Sequence, residues 1–271
     1  MIGCNITEPC FWDKRKHSEN FQGASLHEHG VHELYFLLKG NTRYFLCDEI
    51  FFLHPGDMVF IPKNQLHQTE YNSNIGIERI LFSFDDDFVD PGLRYLLREM
   101  TVNKHITFDQ HGLLKITDIV NKIEKELQKG KVLNEEMQRL YFQQLLILIS
   151  RYRKPAEDDT PPAPLMLIQR ILAYINENYN TDITLSSLAE TFSISQSHLS
   201  KSFKSVSGLG INEYINVCRV SAAKTLLETT DMSITQIATK CGFNDSNYFA
   251  AVFKKIVGVT PKKYALLNKH K

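Results

Sequence analysis

The chain has 271 residues, and its 31 lysine and arginine residues balance 31 aspartate and glutamate residues, so the formal net charge is zero. This length suggests two domains rather than one. No apolar run reaches transmembrane length, no signal-peptide core opens the sequence, and the five cysteines form no CxxC pair, which together exclude a membrane or secreted class and favour the cytoplasm.

Short strand-like segments fill the chain from Val31 to about Phe84. They read ELYFLLKG, RYFLCDEIFFL, DMVFIP and IERILFSF, and glycine or proline separates them. Short β-rich runs at this spacing predict a sandwich or barrel. We therefore expect a β-rich domain over residues 1–110.

Two histidine-containing motifs lie in this region. HxHxxxExxxxxxG begins at His27 and GxxxxxPxxxxH ends at His67, and together they resemble the two motifs of the cupin barrel. Asn64 stands where the cupin motif usually has glycine, and asparagine also tolerates a left-handed backbone conformation. The positions that hold a metal in cupin enzymes correspond to His27, His29, Glu33 and His67.

The cupin resemblance implies one shared pocket for these four side chains, with two candidate occupants. Three imidazoles and a carboxylate suit iron, manganese, nickel or zinc, so a divalent metal is one of them. The other is a small effector that uses the histidines as hydrogen-bond donors or acceptors. The effector ranks first because proteins that share a fold often differ in function, so the metal of cupin enzymes does not follow from the barrel alone. The histidines without comparable spacing are expected at the surface or in loops: His17, His32 and His54.

Two amphipathic helical patterns follow, within residues 111–153. The first has apolar residues at helical spacing from Leu113 to Leu127, and the second from Leu133 to Ile149. The second pattern is apolar around more of its circumference than packing against one barrel requires. Both stripes could instead be buried against the barrel of the same chain.

A proline-rich segment separates this region from the rest of the chain. RKPAEDDTPPAP, residues 153–164, holds four prolines and three consecutive acidic residues, so it predicts an extended linker over residues 154–164. From residue 165 onward there are 12 lysines and arginines against 7 aspartates and glutamates, a net charge of +5, which leaves −5 for residues 1–164. A basic excess suits a domain that meets phosphates.

The region from residue 165 to 271 contains an internal repeat. A shift of 50 residues places Ser195 on Asp245 and Phe203 on Phe253. Each unit reads as a short helix, a tight turn and a capped second helix, which predicts helix-turn-helix modules at about 185–206 and 234–257. A single helix over residues 211–229, about 27 Å long, would join them. The alternative is a pair of helical hairpins that only pack a core.

The run from Leu185 to Tyr264 resembles the DNA-binding domain of AraC/XylS-type transcription regulators. The resemblance rests on LAETFSISQSHLSKSFK, on RVSAAKTLL, and on IATKCGFNDSNYFAAVFKK followed by GVTPKKY. It implies a bacterial protein that binds double-stranded promoter DNA and a small-molecule effector, of which a sugar is a common example. It also implies a homodimer formed through residues 111–153 and, for an activator, contact with RNA polymerase.

Carried over by position, the resemblance assigns one set of DNA-facing residues to each module. Ala251 departs from the arginine that is common in the family, which argues against strong base readout by the second module. Lysines near the helix ends are expected to meet phosphates. The first set is Ser195, Gln196, Ser197, Ser200, Lys201 and Lys204, and the second is Ser246, Asn247, Ala251, Lys254 and Lys255.

The sequence therefore predicts a two-domain α+β protein with a cupin-like N-terminal β-barrel and an all-α DNA-binding domain with two helix-turn-helix motifs joined by a long helix. We expect a ligand-responsive transcription regulator without catalytic activity, because no nucleophile–base pair or phosphate loop supports turnover. The rival hypothesis is a metal-dependent cupin enzyme or metal sensor that carries a DNA-binding domain. A third hypothesis is an architectural DNA-binding protein that responds to no ligand, but it would assign no function to the barrel.

Overall fold

The computed structural model describes residues 10–17, 27–46, 49–71, 76–128, 133–155 and 163–268. The chain divides into two compact units, one within residues 1–159 and the other mainly within residues 160–271. The first unit combines sheets with helices and the second is helical. The predicted α+β class with two domains is therefore confirmed.

Two antiparallel sheets form the β-rich part of the first unit. One has the strand order β1-β7-β2-β5-β8 and the other β4-β3-β6. Among the described residues no strand ladder joins the sheets, so the cupin-like domain is an open barrel. The strands are β1 (Cys10–His17), β2 (His32–Lys39), β3 (Thr42–Leu46), β4 (Glu49–Leu53), β5 (Met58–Ile61), β6 (His67–Tyr71), β7 (Ile77–Phe84) and β8 (His105–Ile106).

The register of the large sheet decides which side chains face the barrel interior. Glu33 on β2 pairs with Ser83 on β7, so the two side chains point to the same face. Leu34 and Phe36 occupy alternate positions of β2, so their side chains point to the opposite face of the sheet and join a large apolar core. The sheet therefore turns Glu33 and Ser83 inward together with apolar residues such as Val59 and Ile61, and it turns a mainly apolar face toward the helices.

Three helices cover that apolar face: α1 (Arg94–Val102), α2 (Gln110–Leu127) and α3 (Asn134–Tyr152). Ile116 and Val120 of α2 and Phe142 of α3 belong to the same core as Leu34 and Phe36. The core-facing parts of both amphipathic patterns are thus buried within their own chain. One side of each helix is used in this packing, and the other remains at the surface.

Seven helices make up the described part of the second unit. None of the described helices is long and apolar enough to cross a bilayer. The first of them starts at Ala163, inside the predicted linker; Pro164 then lies in its first turn, where a missing N–H is tolerated. The helices are α4 (Ala163–Asn178), α5 (Leu185–Thr191), α6 (Gln196–Ser207), α7 (Ile211–Thr229), α8 (Ile234–Lys240), α9 (Ser246–Val257) and α10 (Pro261–Asn268). Of the other predicted linker residues, 156–162 lie outside the described part of the chain.

The internal repeat is present in three dimensions as two helix-turn-helix modules, α5–α6 and α8–α9, joined by α7. Ser195 accepts a hydrogen bond from the backbone N–H of His198 at 3.3 Å, and Asp245 accepts the equivalent bond from Tyr248 at 2.6 Å. Ala189 and Ala238 are buried where the helices of each module cross. The predicted helix-turn-helix architecture, including the long joining helix, is confirmed.

Candidate functional site

The first recognition helix, α6, presents one polar face to solvent. Its opposite side buries Leu199 and Phe203, which fixes the rotation of the helix about its axis. The amide nitrogen of Gln196 lies 3.3 Å from the hydroxyl of Ser186 on α5, so this side chain must leave a weak contact to reach a base. The exposed predicted residues of this module are Ser195, Gln196, Ser197, Ser200, Lys201 and Lys204.

The second recognition helix, α9, has a smaller and less polar outer face. Asn247, Ala251, Lys254 and Lys255 are exposed, whereas Ser246 is partly buried. The 50-residue shift places Ala251 where α6 has Lys201. Since alanine can only contact a thymine methyl group, α9 has fewer side chains able to form hydrogen bonds with base edges than α6.

One exposed aromatic residue on α9 was not identified from the sequence. Tyr248 is 53% exposed, and its hydroxyl accepts a hydrogen bond from the side-chain amide of Asn216 on α7 at 3.1 Å. His198 is the exposed residue at the equivalent position on α6. The sequence signal for this pair is the repeat itself, because both residues follow the capped start of their helix by the same number of positions.

Three histidines and a glutamate lie close together in the barrel domain, as the cupin resemblance implies. His27, His29 and His67 each offer one ring nitrogen, and these atoms all lie within 4.8 Å of one another. His27 is exposed and forms a β-bridge with His67, which brings the first motif onto the strand that carries the second. Asn64 adopts a left-handed backbone (φ 61°), as its place in the motif predicts, and its N–H donates to the carbonyl of His29 at 2.8 Å.

Glu33 lies beside these rings on β2. Its Oε1 is 3.1 Å from Nε2 of His29 and accepts a hydrogen bond from the Ser83 hydroxyl at 3.2 Å, while its Oε2 is 3.6 Å from Nε2 of His67. Burial alone would raise the pKa of Glu33, but contact with His29 and the charges of the neighbouring rings outweigh it and lower the pKa. The carboxylate is therefore ionised.

The tautomers of two histidines follow from their other ring nitrogens. Nδ1 of His29 lies 3.1 Å from the Val31 carbonyl oxygen, and Nδ1 of His67 lies 2.8 Å from that of Gln65. A carbonyl oxygen only accepts, so each Nδ1 carries a hydrogen and a neutral ring presents a lone pair at Nε2. Both Nε2 atoms are buried. Nε2 of His29 lies 3.1 Å from the Glu33 carboxylate, and this contact is attractive only when that nitrogen carries a proton.

Of the two buried Nε2 atoms, only that of His29 can gain a proton. Burial would lower the pKa of His29, but Glu33 raises it above the ordinary value, so His29 can hold a proton against the carboxylate. Burial lowers the pKa of His67 to about 3, so this ring stays neutral and its Nε2 lone pair has no partner. A divalent cation is the kind of group that accepts several imidazole lone pairs and a carboxylate at once, and backbone carbonyls already orient both rings as metal sites require. The donor set therefore fits a metal ion.

The barrel interior continues away from the histidines into a tyrosine-rich region that the sequence motifs did not identify. The rings of Tyr35 and Tyr44 lie 5.2 Å apart, and Tyr44 stacks on His67 at 6.3 Å. The hydroxyl of Tyr35 is buried near Tyr71, and burial raises the pKa of Tyr35 well above the ordinary value. Farther along, Arg79 donates to the carboxylate of Asp13 at 2.9 Å. Polar groups therefore occur at several places in the interior, between apolar residues such as Val59 and Ile61.

The remaining histidines were predicted to lie at the surface or in loops, and the structure agrees only in part. His54 is exposed as predicted. His32 is buried, and this prediction was wrong: its Nδ1 accepts from the Lys63 N–H at 3.2 Å and its Nε2 lies 3.1 Å from Asp86. His17 is partly buried on β1, where it stacks on Tyr71 at 5.4 Å.

Helix α3 exposes an apolar stripe on the side that faces away from its own core. Leu140 is 62% exposed and Ile147 is 36% exposed, and they lie seven positions apart, as do residues along the seam of a helix pair. By contrast, Leu145 and Ile149 are completely buried in the core. The helix therefore carries both a structural face and an apolar face that its own chain leaves open.

Comparison with known proteins identifies the family. Residues 15–157 match the model of the AraC-like ligand binding domain, and residues 188–266 match that of a helix-turn-helix domain. The chain belongs to the AraC family. It is a DNA-binding transcription regulator with a ligand-binding domain, and the predicted resemblance is confirmed.

Individual relatives cover most of the chain. The HTH-type transcriptional activator RhaR of Shigella dysenteriae is 26% identical over 252 residues, which cover 90% of this chain and 88% of the relative. RhaR of Escherichia coli K12 is 25% identical over the same length. Among solved structures, the C-terminal domain of AraT from Geobacillus stearothermophilus is 28% identical over 42% of this chain and 92% of that domain, with a TM-score of 0.39.

Proposed function

We propose that this AraC-family protein is a cytoplasmic transcription activator that responds to a small molecule bound inside the N-terminal barrel. The RhaR relatives, which are named as transcriptional activators, support the assignment as an activator. The observation that carries the ligand site is the cluster of His27, His29, Glu33 and His67, which continues through the ring of Tyr44 toward the buried hydroxyl of Tyr35.

The chemistry of the interior favours a hydroxyl-rich effector such as a sugar. An ionised carboxylate at Glu33 accepts hydrogen bonds, and the Nε2 lone pair of His67 accepts another. The hydroxyl of Tyr35 can both donate and accept. A polyol offers donors and acceptors on neighbouring carbons, so it could satisfy these groups together, whereas an apolar ligand would leave them buried and unpaired.

A divalent metal ion is a second candidate occupant, supported by the converging Nε2 atoms of His29 and His67. His27, His29, His67 and Glu33 would hold it. Such an ion would supply coordination to effector oxygens, and Ser83 would keep the Glu33 carboxylate oriented. Because the relatives are transcription regulators, we assign the cluster to ligand binding and not to turnover.

DNA binding would be divided unequally between the modules. Gln196, Ser197, Ser200 and Lys201 of α6 would read base edges, Asn247 would make the main base contact of α9, and Lys204, Lys254 and Lys255 would meet phosphates. A homodimer formed through the exposed stripe of α3 would raise the effective concentration of these helices on DNA. The effector would act by binding one arrangement of the protein more tightly than another, and the activator would recruit RNA polymerase to the promoter.

Purified full-length protein allows the occupant to be tested directly. Elemental analysis and native mass spectrometry of protein prepared without chelators should find a bound small molecule, a divalent metal ion, or both. Co²⁺ added to chelator-treated protein should give the visible absorption bands of a nitrogen- and oxygen-ligated ion, and Glu33→Gln should weaken them. Bands that persist unchanged in Glu33→Gln, with no small molecule in the wild-type protein, would contradict the pocket assignment.

A further inference from the structure

We infer that Arg219 is a positioning residue that fixes the second helix-turn-helix relative to the first, and so sets the spacing between the two DNA segments that the protein reads. The inference rests on the proposed function in one respect, that both α6 and α9 meet DNA. It concerns a different property from base readout, because Arg219 lies on the joining helix α7 and on neither recognition helix.

The guanidinium group of Arg219 connects three parts of the C-terminal unit. Its Nε donates to the carbonyl oxygen of Tyr179 at 2.7 Å, and its Nη2 donates to that of Thr181 at 2.8 Å. These carbonyls belong to the loop that leads from α4 into the first module. The same guanidinium lies 5.5 Å from the ring centre of Phe243, in the turn of the second module. One side chain therefore contacts the entrance to one module and the turn of the other.

The backbone of the second turn packs directly on the same loop. Gly242 has a left-handed backbone (φ 86°), and a Cβ atom added there would lie 2.8 Å from the Cα and carbonyl carbon of Asn180. Those atoms are backbone and cannot move aside as a flexible side chain would. Close approach at Gly242 and the hydrogen bonds of Arg219 thus clamp the loop from two directions. We call the set Tyr179, Asn180, Thr181, Arg219, Gly242 and Phe243 the inter-module clamp.

Further hydrogen bonds hold the loop between α4 and α5 in place. The N–H of Thr181 donates to the Asn178 carbonyl at 2.9 Å, and its hydroxyl donates to the same oxygen at 2.8 Å. The hydroxyl of Tyr214 on α7 donates to the side chain of Asn176 on α4 at 3.1 Å. The ring of Tyr174 on α4 lies 5.7 Å from that of Phe192 in the turn of the first module. The first module and the turn of the second module are therefore connected through α4 and the loop that follows it.

Arginine is the residue type that this geometry needs. Its planar group can donate two directed hydrogen bonds in one plane while its face lies against an aromatic ring. A lysine ammonium at the same place keeps the charge but cannot form the paired hydrogen bonds and the ring contact together. Arg219→Lys therefore removes the clamp geometry with little change in charge or size.

A clamped pair of recognition helices should be intolerant of altered DNA spacing. One additional base pair moves the second contact segment by about 3.4 Å and rotates it by about 35° around the duplex. A rigid protein cannot follow this change without losing contacts, whereas a protein with a loosened clamp can adjust.

The test uses full-length protein and the tightest duplex recovered by in vitro selection from a random library. Two further duplexes carry one base pair inserted or deleted between the two protected major-groove segments. Wild-type protein should bind both altered duplexes at least about 10-fold more weakly, an effect the size of a mismatched base pair, and Arg219→Lys should reduce this penalty to about 3-fold or less. Arg219→Ala should behave in the same way.

Arg170→Ala is the matched control. Arg170 also lies over an aromatic ring, 5.8 Å from the centre of Phe192, but this contact is confined to the first module and α4. The control should keep the wild-type spacing penalty even if it lowers thermal stability. Arg219→Lys protein that is folded by circular dichroism and keeps the full penalty would overturn the inference. Equal wild-type affinity for all three duplexes would instead show that only one module reads DNA, and would overturn both the inference and the proposed division of readout.

Discussion

Lys201 and Ala251 occupy equivalent exposed positions on the two recognition helices, fifty residues apart in the chain. The first offers an ammonium group that can reach a guanine edge, and the second offers a methyl group. Both modules have a capped second helix, a tight turn and a buried alanine, so the duplicated fold is intact while the exposed faces of the second helices differ. Folding and the proposed base readout therefore depend on different residues of the repeat.

Substitution of Lys201 should relax sequence preference at one or two base pairs. Lys201→Ala is expected to cost about 1 to 3 kcal/mol on the selected duplex and much less on scrambled DNA. Lys254→Ala is the comparison, because Lys254 lies near the end of α9, where it should meet phosphate. It should weaken binding to both DNAs alike and lower the salt slope by about one. Equal losses on both DNAs for Lys201→Ala would show that Lys201 only holds the backbone.

Two glycines with the same backbone conformation should differ in their response to alanine. Gly258 has φ 87° with nothing within 4 Å of an added Cβ, so Gly258→Ala should cost only the left-handed strain, about 1 to 2 kcal/mol. Gly242→Ala adds overlap with the backbone of Asn180 and should cost about 1 to 3 kcal/mol more. Urea unfolding of both variants measures the difference. Equal losses would mean that the close approach at Gly242 contributes nothing.

The C-terminal unit should fold by itself only when α4 is included. Fragment 160–271 is expected to be helical, to unfold cooperatively and to bind the selected duplex more weakly than the full chain. Fragment 180–271 lacks Ile168, Ile171, Leu172 and Ile175, each at most 1% exposed. Burial of such side chains is worth about 1.5 to 3 kcal/mol each, so their loss should exceed the stability of the unit. Circular dichroism decides this, and a cooperatively folded 180–271 would contradict the expectation.

The stripe on α3 should govern self-association. Leu140→Glu places a charge on this open apolar face and is expected to shift the protein from dimer to monomer in sedimentation experiments. Leu114→Glu is the control, because Leu114 on α2 is exposed to a similar degree, 65% against 62%, but lies outside the stripe. A Leu140→Glu protein with unchanged mass would rule out the stripe as the dimer contact, as would equal dissociation of both variants.

The helical elements could be predicted from sequence more completely than the strands. Periodic apolar residues and capping residues identify α5 to α9, and α4 carries an equally regular pattern that the repeat does not include. Strand β6 is missed because its inward residues, His67, Thr69 and Tyr71, are polar, so no apolar alternation marks it. Strand β1 is rich in charge and is recognisable only through its pairing with β7.

Some residues of the candidate site could be predicted from the sequence, and others could not. The resemblance to the two cupin motifs implies that His27, His29, Glu33 and His67 share one pocket, and each motif can be recognised because it is local in sequence. The partners of Tyr35 depend on the register between strands and on the approach of two sheets, which no local pattern encodes. The burial of His32 likewise depends on Asp86, which is distant in the chain.

A binding titration tests most directly whether a ligand bound in the barrel changes the affinity of the protein for DNA. Full-length protein should be titrated onto the fluorescently labelled selected duplex, with and without the molecule that co-purifies with it or, from a panel of sugars, raises its melting temperature most. For wild-type protein we expect the compound to change Kd by about 5- to 150-fold. For His29→Ala we expect the ligand-free Kd to be retained and the response to be lost. An unchanged wild-type Kd, or a full response in His29→Ala, would contradict the account.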